Sequence, residues 1–122
     1  MNDLCTVFRQ AIEGRDVDAA VRLFSDDVRF FSPVVYKPYV GHEPLRAILG
    51  GVVQVFEDFR YTSSYSGEGG HVLRFAARVG DRKLQGVDIL SVSGGVLTEL
   101  TVMVRPYSAV MALRERMAAL LP

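Results

Sequence analysis

Apolar residues at Leu4, Val7, Phe8, Ala11 and Ile12 recur at steps of three and four, which lays one stripe along an amphipathic helix. Gly14 stops that helix. Asp16 then stands as an N-cap, its carboxylate placed to accept the free amide hydrogens of a second helix striped by Val17, Ala20, Val21 and Phe24. The turn-forming Ser25, Asp26 and Asp27 are expected to end it. Val28 to Ser32 predicts a short strand, closed by Pro33, which has no amide hydrogen for a ladder. Residues 34–41 mix apolar side chains with proline and glycine, the pattern of an extended loop lying against the body, where Tyr36 and Tyr39 serve packing or a pocket wall. A third helix opens near His42, Glu43 and Pro44 and is striped by Leu45, Ile48, Leu49, Val52, Val53 and Phe56. Gly50 and Gly51 fall opposite that stripe and weaken the helix by up to about 1 kcal/mol each relative to alanine. A bend there, or a close approach by another backbone, is the expectation.

From Phe59 the period changes to two. Arg60 to Tyr65 predicts a strand, Ser66 to Gly70 a turn, and His71 to Val79 a second strand with Leu73, Phe75, Ala77 and Val79 on one face. Gly80 and Asp81 turn the chain into Lys83 to Val92, and Gly94 and Gly95 turn it again into Val96 to Arg105. Pro106 ends this antiparallel meander, and Val110, Leu113, Met117, Leu120 and Leu121 stripe a final helix. Helices and strands are segregated along the chain, so the class is α+β.

The 122 residues suit one domain, 1–122, with a core that needs no staples. Fourteen basic and fourteen acidic residues cancel and are scattered, which argues against nucleic acid or an anionic membrane as partner. A lone cysteine, Cys5, excludes an internal disulfide and a cysteine-clustered zinc site, and it reads as an inert half-buried thiol. With no leader pattern and no apolar run of membrane length, a cytoplasmic location is expected.

One residue interrupts the pattern. Asp88 sits in the middle of the strand from Lys83 to Val92, where an ionised acid without a partner would be costly to bury. Alternation places Leu84, Gly86, Leu90 and Val92 on its face and Gln85, Val87, Ile89, Ser91 and Ser93 on the other. Both faces are about half apolar, so periodicity leaves open whether Asp88 meets water or a cavity.

The order of elements, with Gly14-Arg15-Asp16-Val17-Asp18, Leu23-Phe24-Ser25-Asp26-Asp27-Val28, Gly41-His42-Glu43-Pro44-Leu45 and Gly86-Val87-Asp88-Ile89-Leu90, resembles the nuclear transport factor 2-like superfamily, and within it the SnoaL-like group. The resemblance spans nearly the whole chain. It implies a curved antiparallel sheet wrapped around three N-terminal helices, a cone with a deep apolar cavity, completed here by the C-terminal helix. It also implies a homodimer joined through the outer sheet face, and it turns Asp88 inward. Because this fold hosts isomerases, dehydratases, hydrolases, polyketide cyclases and binding modules alike, it leaves the reaction open.

Ketosteroid isomerases of this superfamily use an aspartate before a proline as base, a first-helix tyrosine and a protonated aspartate on a later strand, the last a known case of a carboxylic acid kept neutral by its apolar site. On the shared landmarks the base position falls on Ser32, before Pro33, and the tyrosine position on Phe8; only Asp88 is kept. Serine is no base without an activator, and phenylalanine has no donor, so that machinery is incomplete. The related epoxide hydrolases carry an arginine two residues before the matched aspartate, where this chain has Gly86.

Asp88 is therefore the one candidate catalytic group, with a pKa expected to be raised by desolvation; the alternative is a structural acid bonded to a neighbouring strand or tyrosine. Arg105 reads as a surface arginine paired with Glu99 or another acid; the alternatives are a partner for Asp88 or an anion holder at the mouth. His42 suits helix capping, His71 solvent, and the two lie too far apart for a metal site. Candidate ligand-binding residues are Phe8, Phe30, Ser32, Leu49, Val52, Phe56, Phe75, Asp88, Val102 and Val104, with Leu90 a further wall candidate. Phenylalanines from helices and strands around one acid suit a flat apolar ligand with one polar atom. The expectation is a cofactor-free, metal-free binder of a small hydrophobic molecule. The alternative is an isomerase, dehydratase or cyclase using Asp88 as general acid or oxyanion donor.

Overall fold

The computed structural model describes residues 3–120. Helix α1 (Leu4–Glu13) buries Cys5, Phe8, Ala11 and Ile12, the expected stripe. Asp3 caps it through Thr6 N, and Gly14 closes it. Asp16 caps α2 (Val17–Val21) by accepting from Ala19 N at 3.1 Å, a bond worth about 1 kcal/mol at such positions.

The first difference from expectation follows at once. Helix α2 stops at Val21, and β1 (Phe24–Phe31) takes Phe24, Ser25, Asp26 and Asp27 as strand residues. Burial explains this: Phe24 turns into the core against the edge of Phe8, while Asp26 and Asp27 lie exposed. Residues 32–38 form the expected loop, but Tyr39–Val40 pairs with Phe30 and Arg29 as a short edge strand, β2. Tyr36 is 99% exposed and belongs to no wall.

Helix α3 (His42–Val55) buries Leu45, Ile48, Leu49 and Val55. Gly51 is buried, and a β-carbon there would stand 2.8 Å from Met117 Cε, so the close neighbour is a side chain of the last helix rather than a backbone. Gly50 meets nothing. Strands β3 (Glu57–Gly67), β4 (Gly70–Val79), β5 (Arg82–Ser93) and β6 (Val96–Arg105) follow as an antiparallel meander, and α4 (Tyr107–Leu120) returns across it. On α4 the buried positions are Ala109 and Leu113; Leu120 is exposed, and Leu121 lies outside the described residues.

The sheet order is β2-β1-β6-β5-β4-β3. It is antiparallel except where β1 runs parallel to β6, the long-range join that brings the N-terminal half against the last strand. Register shifts in β3, in β1 and between Ser91 and Val92 bend the strands, and the sheet curves around the helices as an open cone. Leu73, Phe75, Ala77 and Val79 of β4 and Leu84, Asp88 and Leu90 of β5 share the concave face with the buried helical stripes. Among the described residues, no helix is long and apolar enough to cross a membrane.

Candidate functional site

The concave face leaves a cavity of about 290 Å³. Phe8 and Ile12 of α1, Ile48, Leu49 and Val52 of α3, and Leu113 and Met117 of α4 form its helical walls. Phe30, Tyr39, Phe59, Phe75 and Val102 line it from the strands, and Ser32, Pro33, Val34 and Val35 stand at the loop. Phe56, just past the end of α3, stacks on Phe59 with ring centroids 5.8 Å apart, and Phe75 leans on both.

Of the residues marked from sequence, Phe8, Phe30, Ser32, Leu49, Val52, Phe56, Phe75, Asp88 and Val102 all border this cavity. Val104 does not. Its partner across the ladder is Gly86, but it borders a neighbouring groove with Tyr107, Val110 and Met111, because α4 starts directly after β6 and covers it. Leu90 is fully buried in the core and makes no wall. Ser32 is spent locally: its Oγ accepts from Val34 N at 2.9 Å and Val35 N at 3.2 Å, which shapes the loop.

Asp88 is the one buried charged residue among those described, 8% exposed in a strand whose inward neighbours are apolar. The hydroxyl of Tyr61 donates to its Oδ2 across 2.8 Å. Burial pushes the Asp88 carboxyl up to about 7, and the Tyr61 hydrogen bond pulls partly against it. Burial, followed by the neighbouring acid, drives the Tyr61 phenol far above its ordinary value, so Tyr61 stays a donor. Among the described residues Oδ1 has no partner, and it is not sealed from contact, so the free oxygen of the acid is the one the cavity can use.

The sequence leaves open which tyrosine bonds Asp88. Tyr61 pairs with Phe75 on β4, and Phe75 pairs with Gly86 on β5, so Tyr61 must reach over β4 to meet Asp88. Two strand spacings are about 10 Å, within the reach of a phenol. Its ring is fixed by the Phe59 edge at 4.9 Å and by the Arg9 guanidinium at 5.7 Å. The period-two pattern of Phe59 and Tyr61 held the signal for its face; its partner depended on register.

Among the described residues, Arg105 pairs with neither Asp88 nor Glu99. It donates to Gln85 Oε1 at 2.9 Å, and Glu99 pairs instead with Arg29. The cation bordering the cavity is Arg114 of α4. His42 Nε2 lies 2.8 Å from the carbonyl of Phe24, tying α3 to β1, and His71 Nδ1 lies 2.7 Å from Ser66 Oγ rather than simply in solvent. Among the described residues, no group of three or more His, Cys, Asp or Glu gathers in metal-binding geometry.

In chemical terms, the site offers one oxygen near its titration point inside an apolar wall. Protonated, Asp88 donates to a carbonyl or oxyanion; ionised, it accepts from a hydroxyl.

A structure of an uncharacterised protein with a cystatin-like fold from Silicibacter pomeroyi shares 34% identity over 98% of this chain and 85% of that one, with a TM-score of 0.91. A steroid delta-isomerase from Pseudomonas aeruginosa shares 37% identity over 95% of this chain and 87% of that one, with a TM-score of 0.90. No curated protein sequence matches. The model of the SnoaL-like domain matches residues 6–100, and with that span the chain belongs to the SnoaL-like domain family of the nuclear transport factor 2-like superfamily.

Proposed function

We propose that this protein binds a small, flat, apolar molecule in the cone and engages its carbonyl or hydroxyl through Asp88. The observation that carries the reading is the buried carboxyl whose Oδ2 is held by Tyr61 while Oδ1 is left to an otherwise apolar cavity. A hydroxylated two-ring aromatic such as naphthol tests it. Its fluorescence titration is expected to saturate at one molecule per chain and to weaken about tenfold in Asp88→Asn, the scale of one hydrogen bond to a charged or strongly polar group. Absence of saturation, or equal affinity in the variant, would overturn the reading.

A second reading is enzymatic, and its support is the kinship with a steroid delta-isomerase together with the near-neutral titration of Asp88. In it, protonated Asp88 stabilises an enolate oxygen. The proton abstraction that such an isomerisation also needs has no base at Ser32, whose Oγ is engaged in the loop turn, so binding is the better supported function. Turnover of a panel of cyclic unsaturated ketones separates the two: activity that falls in Asp88→Asn supports the enzyme, and equal turnover removes the acid role.

A further inference from the structure

Two charged side chains border the cavity, and they differ in their surroundings. Asp88 is buried and held by Tyr61; Arg114 is exposed on α4 and, among the described residues, makes no ion pair or side-chain hydrogen bond. The other arginines near the cone are occupied: Arg9 lies against Glu13 and the Tyr61 ring, Arg15 donates to the carbonyl of Val53, and Arg105 holds Gln85. Among the described arginines, Arg114 is the one that borders both the cavity and the groove beside it, which share Pro33, Val34 and Val35 of the loop as their common wall. A planar guanidinium with free donors at an apolar opening suits a carboxylate, which it can take with two parallel hydrogen bonds.

We infer that the ligand is an amphipathic carboxylate: an apolar ring body inside the cone, a neutral oxygen on Asp88, and a carboxylate at the mouth on Arg114. The inference rests on the binding function proposed above and adds the chemical class of the ligand. It also gives the chain a sense of orientation. A molecule with one neutral and one anionic end enters neutral end first, because the cation that lines the cavity among the described residues is at the opening and the deep end holds an acid.

The test uses two probes of one shape, naphthol and a hydroxynaphthoic acid whose hydroxyl and carboxylate sit at opposite ends of the ring system. Near pH 6 a carboxylic acid of ordinary strength is ionised. Affinities of both probes are measured by fluorescence titration on the wild type, Arg114→Gln and Arg105→Gln. The wild type is expected to prefer the acid by roughly fivefold, the upper end of the scale for an exposed charge-assisted contact. Arg114→Gln is expected to bring that ratio to about one, while Arg105→Gln keeps it. If naphthol saturates with the acid no tighter, or the preference survives in Arg114→Gln, the Arg114 assignment falls while the cone remains a binding site. If neither probe saturates, the function itself fails and the inference goes with it.

Discussion

The ring of Phe75 occupies the space that a side chain at position 86 would need: a β-carbon built on Gly86 would stand 2.5 Å from Phe75 Cζ and 2.5 Å from the carbonyl oxygen of Met103. The two residues are direct partners across β4 and β5. A glycine two positions before Asp88 thus lets one aromatic ring lie flat against the strand, where it meets Phe56, Phe59 and Tyr61 and forms the wall beside the acid.

Gly86→Ala is expected to destabilise the protein by about 1–3 kcal/mol, because neither a carbonyl nor a ring wedged among three others can give way cheaply. Gly50→Ala supplies the contrast. Nothing lies within 4 Å of a β-carbon there, so the helix gains up to about 1 kcal/mol. Urea unfolding of both variants checks the pair, and equal effects would contradict the packing.

Tyr61→Phe removes one hydroxyl from a filled core. The variant is expected to lose about 1–3 kcal/mol, since Asp88 Oδ2 is left without its donor. The same change is expected to raise the Asp88 titration above about 7, because the Tyr61 bond is what lowers it against burial. Carbon-detected NMR titration of the Asp88 carboxyl reads the shift. A fall in the midpoint would mean that the phenol does not hold the ionised form.

Much of this was legible in the residues, for physical reasons that differ from place to place. The stripe of Phe8, Ala11 and Ile12 and the alternation of Leu73, Phe75, Ala77 and Val79 fixed faces, because burial enforces a period. Phe24 was misplaced because its spacing fits a helix continuing from Val21; only its contact with Phe8 makes the strand the better home. Periodicity alone could not turn Asp88 inward, since Val87 and Ile89 on the outer face are also apolar. Tyr61 and Arg114 escaped for a common reason. One reaches its partner across an intervening strand and the other arrives from the far end of the chain, and local patterns hold no such distances.

The outer sheet face is the proposed contact with a second copy. Val72, Ile89 and Thr101 form one row across β4, β5 and β6, and Val87 and Met103 the next, with Met103 56% exposed. Light scattering at micromolar concentration is expected to give twice the chain mass, and Met103→Glu, which sets a charge in the middle of that face, is expected to give a monomer. A wild-type monomer would contradict the proposal.

Asp88 also makes stability depend on pH in a defined window. In the unfolded chain its carboxyl titrates at its ordinary value of 3.8, and in the fold at about 7. Between the two, the folded protein holds a proton that the unfolded chain has released, so each rise of one pH unit favours unfolding by about 1.4 kcal/mol. The favourable contribution is complete below the lower value, shrinks as pH climbs, and is gone above the upper one, where both states are ionised. Asp88→Asn lacks this titration, while its amide oxygen still accepts from Tyr61, and every other titrating group is common to the two proteins. Chemical denaturation across a pH series is therefore expected to show the variant gaining on the wild type from about pH 4 to about pH 7 and holding a constant lead beyond. Parallel curves through that window would mean that Asp88 is already ionised in the folded protein, and its role as a hydrogen-bond donor to the ligand would be lost.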